Sequence, residues 1–319
     1  MVYLFAFLVP LLIVFLITPF IRYLGLKIWA VDKKNHRKIH AKNVIVKFGG
    51  VGIYFGFVAG LIIMAVYDNA QFQAHIFQIS GLAVCATLAL FLGMYDDLLG
   101  SRAHKKLFVQ IVIACLLIKV GFLIQRIYLP GMLDIHLGVF SIPFTVLWLV
   151  GITNAINLID GLDGLAGGIV AIACLFFSFY GLYAGEPLIC YLSLALLGAV
   201  VGFLHYNFYP AKIFMGDSGS LFLGCMLASM GAYVVKDGSM LNKFFLPSLL
   251  ILLLPILDTV MAVIRRLSRK QHIFTSDASH THHFFLNRGF SQVQVVLGFY
   301  VVTVFLGLIS LLVLTYAAS

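Results

Sequence analysis

The chain reads as an all-α polytopic membrane protein of about ten transmembrane helices, with its polar residues gathered in cytosolic loops. Three observations predict this. Of its 319 residues, 62% are apolar and 10% charged, with a mean hydropathy of +1.07, whereas a soluble domain has roughly 25% charged residues. Nearly uninterrupted apolar runs of about 20 residues, the length that spans a bilayer, recur along the whole chain. The charges are also uneven: 17 of the 21 Lys and Arg fall in loops that alternate spanning puts on one side. No linker, low-complexity tract or fixed-period repeat divides the sequence, so residues 1–319 are expected to form one integral membrane domain.

The runs lie near 2–21, 48–67, 76–94, 107–124, 141–158, 164–183, 187–204, 218–236, 244–264 and 293–316. The first lacks a basic leader and a small-residue cleavage site, which predicts a retained span. The second opens with Gly49, Gly50, Gly52 and Gly56. No strand-helix unit surrounds these glycines, so close helix packing is the better reading than a dinucleotide turn. Between the fourth and fifth runs, Pro130-Gly131 sits among alternating residues and predicts a small hairpin. The five cysteines fall within runs and form no CxxC pair, which predicts packing rather than a disulfide or zinc framework. Excess Lys and Arg mark cytosolic loops, so ten spans put both termini outside. A basic cytosolic face suits membrane lipids and anionic substrates and argues against nucleic acid as a partner.

Five polar patches share that face: the basic stretch Asp32 to Lys47, Asp96 and Asp97 in GMYDDLLG, Asn157, Asp160 and Asp163 in NAINLIDGLDGLAGG, Asp217 in FMGDSGS, and His280, His282 and His283 in SHTHHFFLNRG. Ionisable groups beside hydrocarbon are costly and mark a functional site. Adjacent carboxylates such as Asp96 and Asp97 call for a cation or a shared proton when buried. Oxygen ligands favour Mg²⁺, and a solvated helix end is the bland alternative. Asn154, Asn157, Asp160 and Asp163 recur every third residue, which helical spacing brings towards one side. Gly161 and Gly164 interrupt them and permit close backbone approach. An EF-hand is excluded because the twelfth position from Asp160 is Ala171 rather than Glu, while a purely structural turn stays open. Asp217 precedes a span, where it suits either an N-cap or a metal site. The histidines have no Cys nearby and do not match zinc spacing. Beside Arg265, Arg266, Arg269 and Lys270 they suit hydrogen bonds to phosphate, with a surface tract as the alternative. Asp258, inside the ninth run, has three open roles: an Arg pair, a helix contact, or support behind the site.

The stretches DKKNHRKIHAKNVIVKFGGVGIY, GMYDDLLG, NAINLIDGLDGLAGG, FMGDSGSLFLG and HTHHFFLNRGF occur in family order. They closely resemble the polyprenyl-phosphate N-acetylhexosamine-1-phosphate transferases over nearly the whole chain. The resemblance implies transfer of a sugar 1-phosphate from a UDP-N-acetylhexosamine to undecaprenyl phosphate, with release of UMP. It also implies a bacterial inner-membrane enzyme with ten or eleven spans, a cytosolic Mg²⁺ site that accepts Mn²⁺, and a homodimer as its expected assembly. By the same resemblance Asp217 is the principal Mg²⁺ ligand, with Asn157 assisting. Asp96 or Asp97, with Asp96 the first choice, deprotonates or orients the lipid phosphate, and Lys106 contacts phosphate. Asp163 lies close to the nucleotide with Asp160 in support. His280, His282 and His283 contact pyrophosphate or sugar, with Arg265 and Arg266 adjacent in substrate binding.

Thr281 interrupts the histidine run, and that interruption resembles the GlcNAc-1-phosphate branch, as does NHRKIH at Asn35 to His40. A muramyl-pentapeptide donor or another UDP-sugar is the alternative within the family. Two rivals come from other classes. An intramembrane aspartyl protease of the GxGD type needs Gly where Phe214 stands. A solute transporter is expected to place its ionisable residues near the midplane and to show internal repeats.

Overall fold

The computed structural model describes residues 1–31, 45–129, 133–233, 245–269 and 281–318. In a bilayer every backbone N–H and C=O must find its partner inside the protein, so long apolar runs have little choice but helix. In chain order come α1 (Val2–Lys27), β1 (Val46–Lys47), α2 (Gly49–Tyr67), a short α3 (Asn69–Ala74), α4 (Ile76–Leu99) and α5 (Ala103–Lys119). Strands β2 (Arg126–Leu129) and β3 (Leu133–His136) follow, then α6 (Ser141–Ile159), α7 (Leu165–Ala184) and α8 (Pro187–Asn207). The chain continues with β4 (Ile213–Phe214), α9 (Gly216–Ala232), α10 (Phe245–Ile251), α11 (Leu253–Ser268), α12 (Thr281–Asn287) and α13 (Gln292–Ala318).

Seven of these helices are long and apolar enough to cross a membrane among the described residues, and the bent pair α10–α11 makes an eighth. The other two expected runs are occupied by α5 and α9, each 17 residues long, at the short end of the spanning range. The protein is therefore an all-α, multi-pass membrane protein. The expected hairpin is present as antiparallel β2–β3 in the register Arg126↔His136. Its tip, 130–132, lies outside the described residues, as does most of the basic stretch 32–44.

Helices α7, α8 and α9 form the centre. The apolar windows of α7 and α8 are 78% buried, against 28% for α1, which leaves α1 on the periphery. Small residues allow the close approach: a Cβ on Gly50 would lie 2.1 Å from the backbone N of Gly219, so α2 and α9 touch main chain to main chain. All five cysteines lie in helices and are free, four of them buried and Cys115 exposed, so the packing role holds for four.

The ninth run is not one straight helix. α10 and α11 meet at Leu252 with a bend of 69°. Pro255 has no N–H to donate to the carbonyl of Ile251, and its ring crowds that carbonyl, which breaks the helix there. Beyond the break, α11 is patterned inside out relative to a soluble helix. Its buried face carries Asp258, Ala262 and Arg266, while Leu257, Val260, Met261, Ile264 and Leu267 are exposed. Charged residues of a spanning segment turn inward because the outside is hydrocarbon.

Candidate active site

Helices α4, α6 and α11 end, and α5, α9 and α13 begin, at the same end of the bundle. A cavity of about 330 Å³ there is lined by Asp97, Asp160, Asp163, Asp217, His283 and Gln292, among others. Four of the five polar patches thus converge, and Lys47 adds the described end of the fifth.

One wall is the contact between α4 and α9. Asp97 Oδ1 accepts the backbone N–H of Asp217 and its Oδ2 accepts that of Ser218, both at 2.9 Å. A carboxylate from another helix therefore caps α9, where unsatisfied donors and the helix dipole favour negative charge. One turn earlier, a Cβ on Gly93 would lie 2.2 Å from the backbone O of Asp217, so only glycine permits this approach. Gly216 has φ +71 and a Cβ there would meet Asp97 Oδ2 at 2.6 Å, so this turn into α9 requires glycine twice over.

The Asp217 side chain is 31% exposed, and its Oδ2 takes a bond from the Lys106 ammonium. Lys106 also reaches Asp96 Oδ2 at 3.0 Å. Asp96 Oδ1 accepts the Ser101 N–H at 2.7 Å and the Ser101 hydroxyl. Two carboxylates therefore share one ammonium, and Asp97 stands beside them on the α9 amides, which leaves an excess of negative charge. One turn into α9, Asn157 Nδ2 donates to Ser220 Oγ at 2.8 Å. Behind it Asn154 Nδ2 donates to Gln110 Oε1 at 2.8 Å, joining α5 to α6.

The every-third-residue pattern of Asn154, Asn157, Asp160 and Asp163 is not carried by one helix. α6 stops at Ile159, Asp160 caps it, and Gly164 takes φ +77 before α7. Glycines at Gly161 and Gly164 end the helix, so Asp160 and Asp163 sit on a tight turn. Asp163 is buried and its Oδ2 accepts the Ala211 N–H at 3.0 Å. Asn207 clamps the same region: its Oδ1 accepts the Gly164 N–H at 3.1 Å and its Nδ2 donates to the Ile213 carbonyl at 2.9 Å.

A second wall comes from α12 and α13. Thr281 N–H and Oγ1 both donate to Asp258 Oδ1, at 2.9 and 2.5 Å. Asp258 thus supports the histidine segment from behind, and the residue that interrupts the run is the one that fastens it. His282 is buried beside Gly161, and its ring lies 4.4 Å from that of His283, which lines the cavity. His280 lies outside the described residues.

Of the sequence-derived candidates, Asp97, Asp160, Asp163, Asp217 and His283 line the cavity, whereas Asp96, Lys106, Asn157, His282, Arg265 and Arg266 do not. Lys106 stands one bond behind Asp217, and Asp96 stands behind Lys106. Arg266 is buried on the inner face of α11, the consequence of that helix's inverted pattern. Sequence reasoning missed Asn207, Asn287 and Gln292 as lining residues, and did not single out Lys47 within its stretch. Lys47 arrives through the parallel pairing of β1 with β4 (Lys47↔Phe214), a two-residue contact that carries no sequence signature.

The charges fit a hard divalent cation. Among the described residues no three His, Cys, Asp or Glu are arranged to hold a metal. Mg²⁺ needs no such cage, since one or two carboxylates and substrate phosphates usually suffice. Asp217 already holds a cation, the Lys106 ammonium, on an oxygen ligand of the right type.

The sequence description of glycosyl transferase family 4 matches residues 79–235. A Bacillus subtilis protein named probable undecaprenyl-phosphate N-acetylglucosaminyl 1-phosphate transferase is 39% identical over 298 residues, covering 93% of this chain and 81% of the relative. A decaprenyl-phosphate N-acetylglucosaminephosphotransferase of Mycolicibacterium smegmatis is 33% identical, over 91% of this chain and 76% of its own. A phospho-N-acetylmuramoyl-pentapeptide-transferase of Oceanobacillus iheyensis is 32% identical, over 93% of this chain and 92% of its own.

Proposed function

The chain belongs to glycosyl transferase family 4, among the polyprenyl-phosphate N-acetylhexosamine-1-phosphate transferases, and from that premise we propose that it moves GlcNAc-1-phosphate from UDP-GlcNAc to undecaprenyl phosphate. The reaction is Mg²⁺-dependent, releases UMP and yields the lipid-linked sugar on which a cell-envelope glycan is started. The enzyme class follows from membership. The GlcNAc donor is supported by the 39% identity to the Bacillus subtilis relative named for that sugar, against 32% to the Oceanobacillus iheyensis muramyl-pentapeptide relative.

The observation that carries the reading is the cavity itself, where Asp97 and Asp217 meet His283 and Lys47. An oxygen of the acceptor phosphate attacks the phosphorus bearing the sugar, and the bond from that phosphorus to UMP breaks. Phosphoryl transfer needs mainly positioning and charge neutralisation. Asp217, with Asn157 next to it, would hold Mg²⁺, which neutralises the diphosphate and orients it for in-line attack. Lys106, bonded to Asp96 and Asp217, fixes the angle of the Asp217 carboxylate. Asp97 faces the cavity, so of the adjacent pair it is better placed than Asp96 to orient the acceptor phosphate or take its proton. Its two amide bonds lock its orientation. Asp163 and Asn207 hold the floor where the nucleotide lies, and Lys47 and His283 meet phosphate oxygens. The excess of Lys and Arg on the loops around this end supports a cytosolic site with both termini outside.

Purified protein in detergent, undecaprenyl phosphate, Mg²⁺ and radiolabelled UDP-GlcNAc test the reading. Metal-dependent label in the lipid phase with matching UMP release is expected, and loss of both in Asp217→Ala. Label carried only from UDP-MurNAc-pentapeptide would move the donor to the other branch. Transfer that persists in Asp217→Ala without divalent metal would overturn the mechanism.

A further inference from the structure

The cavity's lining divides by chemistry. The α4–α9 contact and the turn after α6 contribute carboxylates, while α12 and the start of α13 contribute, besides His283, the uncharged Leu286, Asn287 and Gln292. Charged groups and their metal suit a diphosphate, and neutral donors and acceptors beside a leucine suit an uncharged part of the donor. Within this neutral set Gln292 stands out. It is 8% exposed, and its Oε1 is buried without a hydrogen-bond partner among the described residues. A buried carboxamide oxygen left unpaired is costly and is rarely retained without a use.

The position of Gln292 is fixed from both sides. Ser291 and Gln294 form a reciprocal cap: the Ser291 N–H donates to Gln294 Oε1 at 2.9 Å, and the Gln294 N–H to Ser291 Oγ at 3.3 Å. Two turns further along α13, Tyr300 Oη donates to the Gly164 carbonyl at 2.6 Å, tying the helix to the turn that carries Asp163. Gln292 is the first residue of α13, so its backbone cannot shift without breaking the cap.

We propose that Gln292 selects a donor with a 2-acetamido group, its Oε1 accepting the acetamido N–H while Leu286 meets the acetyl methyl. A 2-hydroxyl donor offers no methyl for Leu286, so the pair discriminates. The inference rests on the reading that a UDP-N-acetylhexosamine occupies this cavity.

The test compares wild type with Gln292→Met, which keeps the side-chain length but removes the acceptor, and with Gln292→Glu, which keeps an acceptor. UDP-GlcNAc and UDP-glucose are compared as donors, and UMP as inhibitor, each also followed by ligand-induced thermal stabilisation. For Gln292→Met, KM for UDP-GlcNAc is expected to rise about 10-fold with kcat within about 2-fold. UMP inhibition is expected to stay unchanged, UDP-glucose use to fall less than UDP-GlcNAc use because its 2-hydroxyl is not seated by Leu286, and Gln292→Glu to retain the preference for the acetamido donor. Equal losses for both donors, weakened UMP inhibition or an unchanged preference would each overturn the assignment. Failure of the underlying reading is distinguishable, because wild type itself would then neither bind nor transfer from any UDP-2-acetamido sugar, and both would fall.

Discussion

The two walls of the cavity are built in different ways. The α9 wall is main chain against main chain: Gly93 of α4 lies against Asp217, Gly50 of α2 against Gly219, and both Asp97 oxygens are on α9 amides. The wall of α12 and α13 is held side chain against segment end, with Asp258 of α11 taking two bonds from Thr281 on one oxygen, on a helix that starts at the break around Leu252. Backbone contact leaves no rotamer to adjust, so the first wall holds its carboxylates at set distances. The second is fastened by side-chain bonds, Thr281 to Asp258 and Tyr300 to the Gly164 carbonyl, and side chains leave rotamers to adjust. Chemistry at phosphorus loses rate steeply with small misplacement, whereas a recognition wall that loosens chiefly loses affinity.

This contrast predicts different kinetic signatures for damage on either side. The largest effect is expected from Asp217→Ala, with kcat down by about 10³-fold or more in the label-transfer assay. Turnover within 10-fold of wild type would remove α9 from the chemistry. Next comes Gly93→Ala, which forces a methyl into the Asp217 carbonyl. Its overpacking cost of about 1–3 kcal/mol is expected to lower the melting temperature in detergent and to cut kcat with little change in KM. A variant that melts like wild type would show that the contact relaxes.

On the other wall, Asp258→Ala is expected to raise the donor KM about 10-fold while kcat changes about 2-fold. Thr281→Val, which removes one of the two bonds, is expected to do less. The double variant should fall short of additivity, since both act through one contact. Additive losses would separate Asp258 from the histidines. The smallest effect is expected from Gln110→Leu behind the site. It leaves Asn154 with one partner fewer, at a cost of about 1 kcal/mol in stability and with transfer kinetics near wild type. A kinetic defect there would extend the rigid wall to α5.

Much of the fold was legible because it follows from solvent. Hydrocarbon dictates helix wherever a run of apolar residues is long enough, so α1, α2, α4, α6, α7, α8 and α13 fall where hydropathy puts them. The polar patches were equally legible, since charge beside lipid needs a reason. Within them the sequence overstated one regularity, the three-residue spacing that Gly161 and Gly164 break into a turn. It also left Asp258 open, because nothing local links it to a residue 23 positions away.

By itself, then, the sequence determined that the chain spans a membrane, which end of the bundle is polar and which residue types gather there. All three follow from composition along the chain and the cost of placing each group in lipid. Only the tertiary structure decided which carboxylate faces the cavity and which turns away. It decided too that Lys47 arrives on a two-residue strand pairing and that Gln292 carries a buried oxygen with no partner among the described residues. Those outcomes depend on contacts between residues far apart in the chain, where a shift of a few ångströms changes a partner and no periodicity records it.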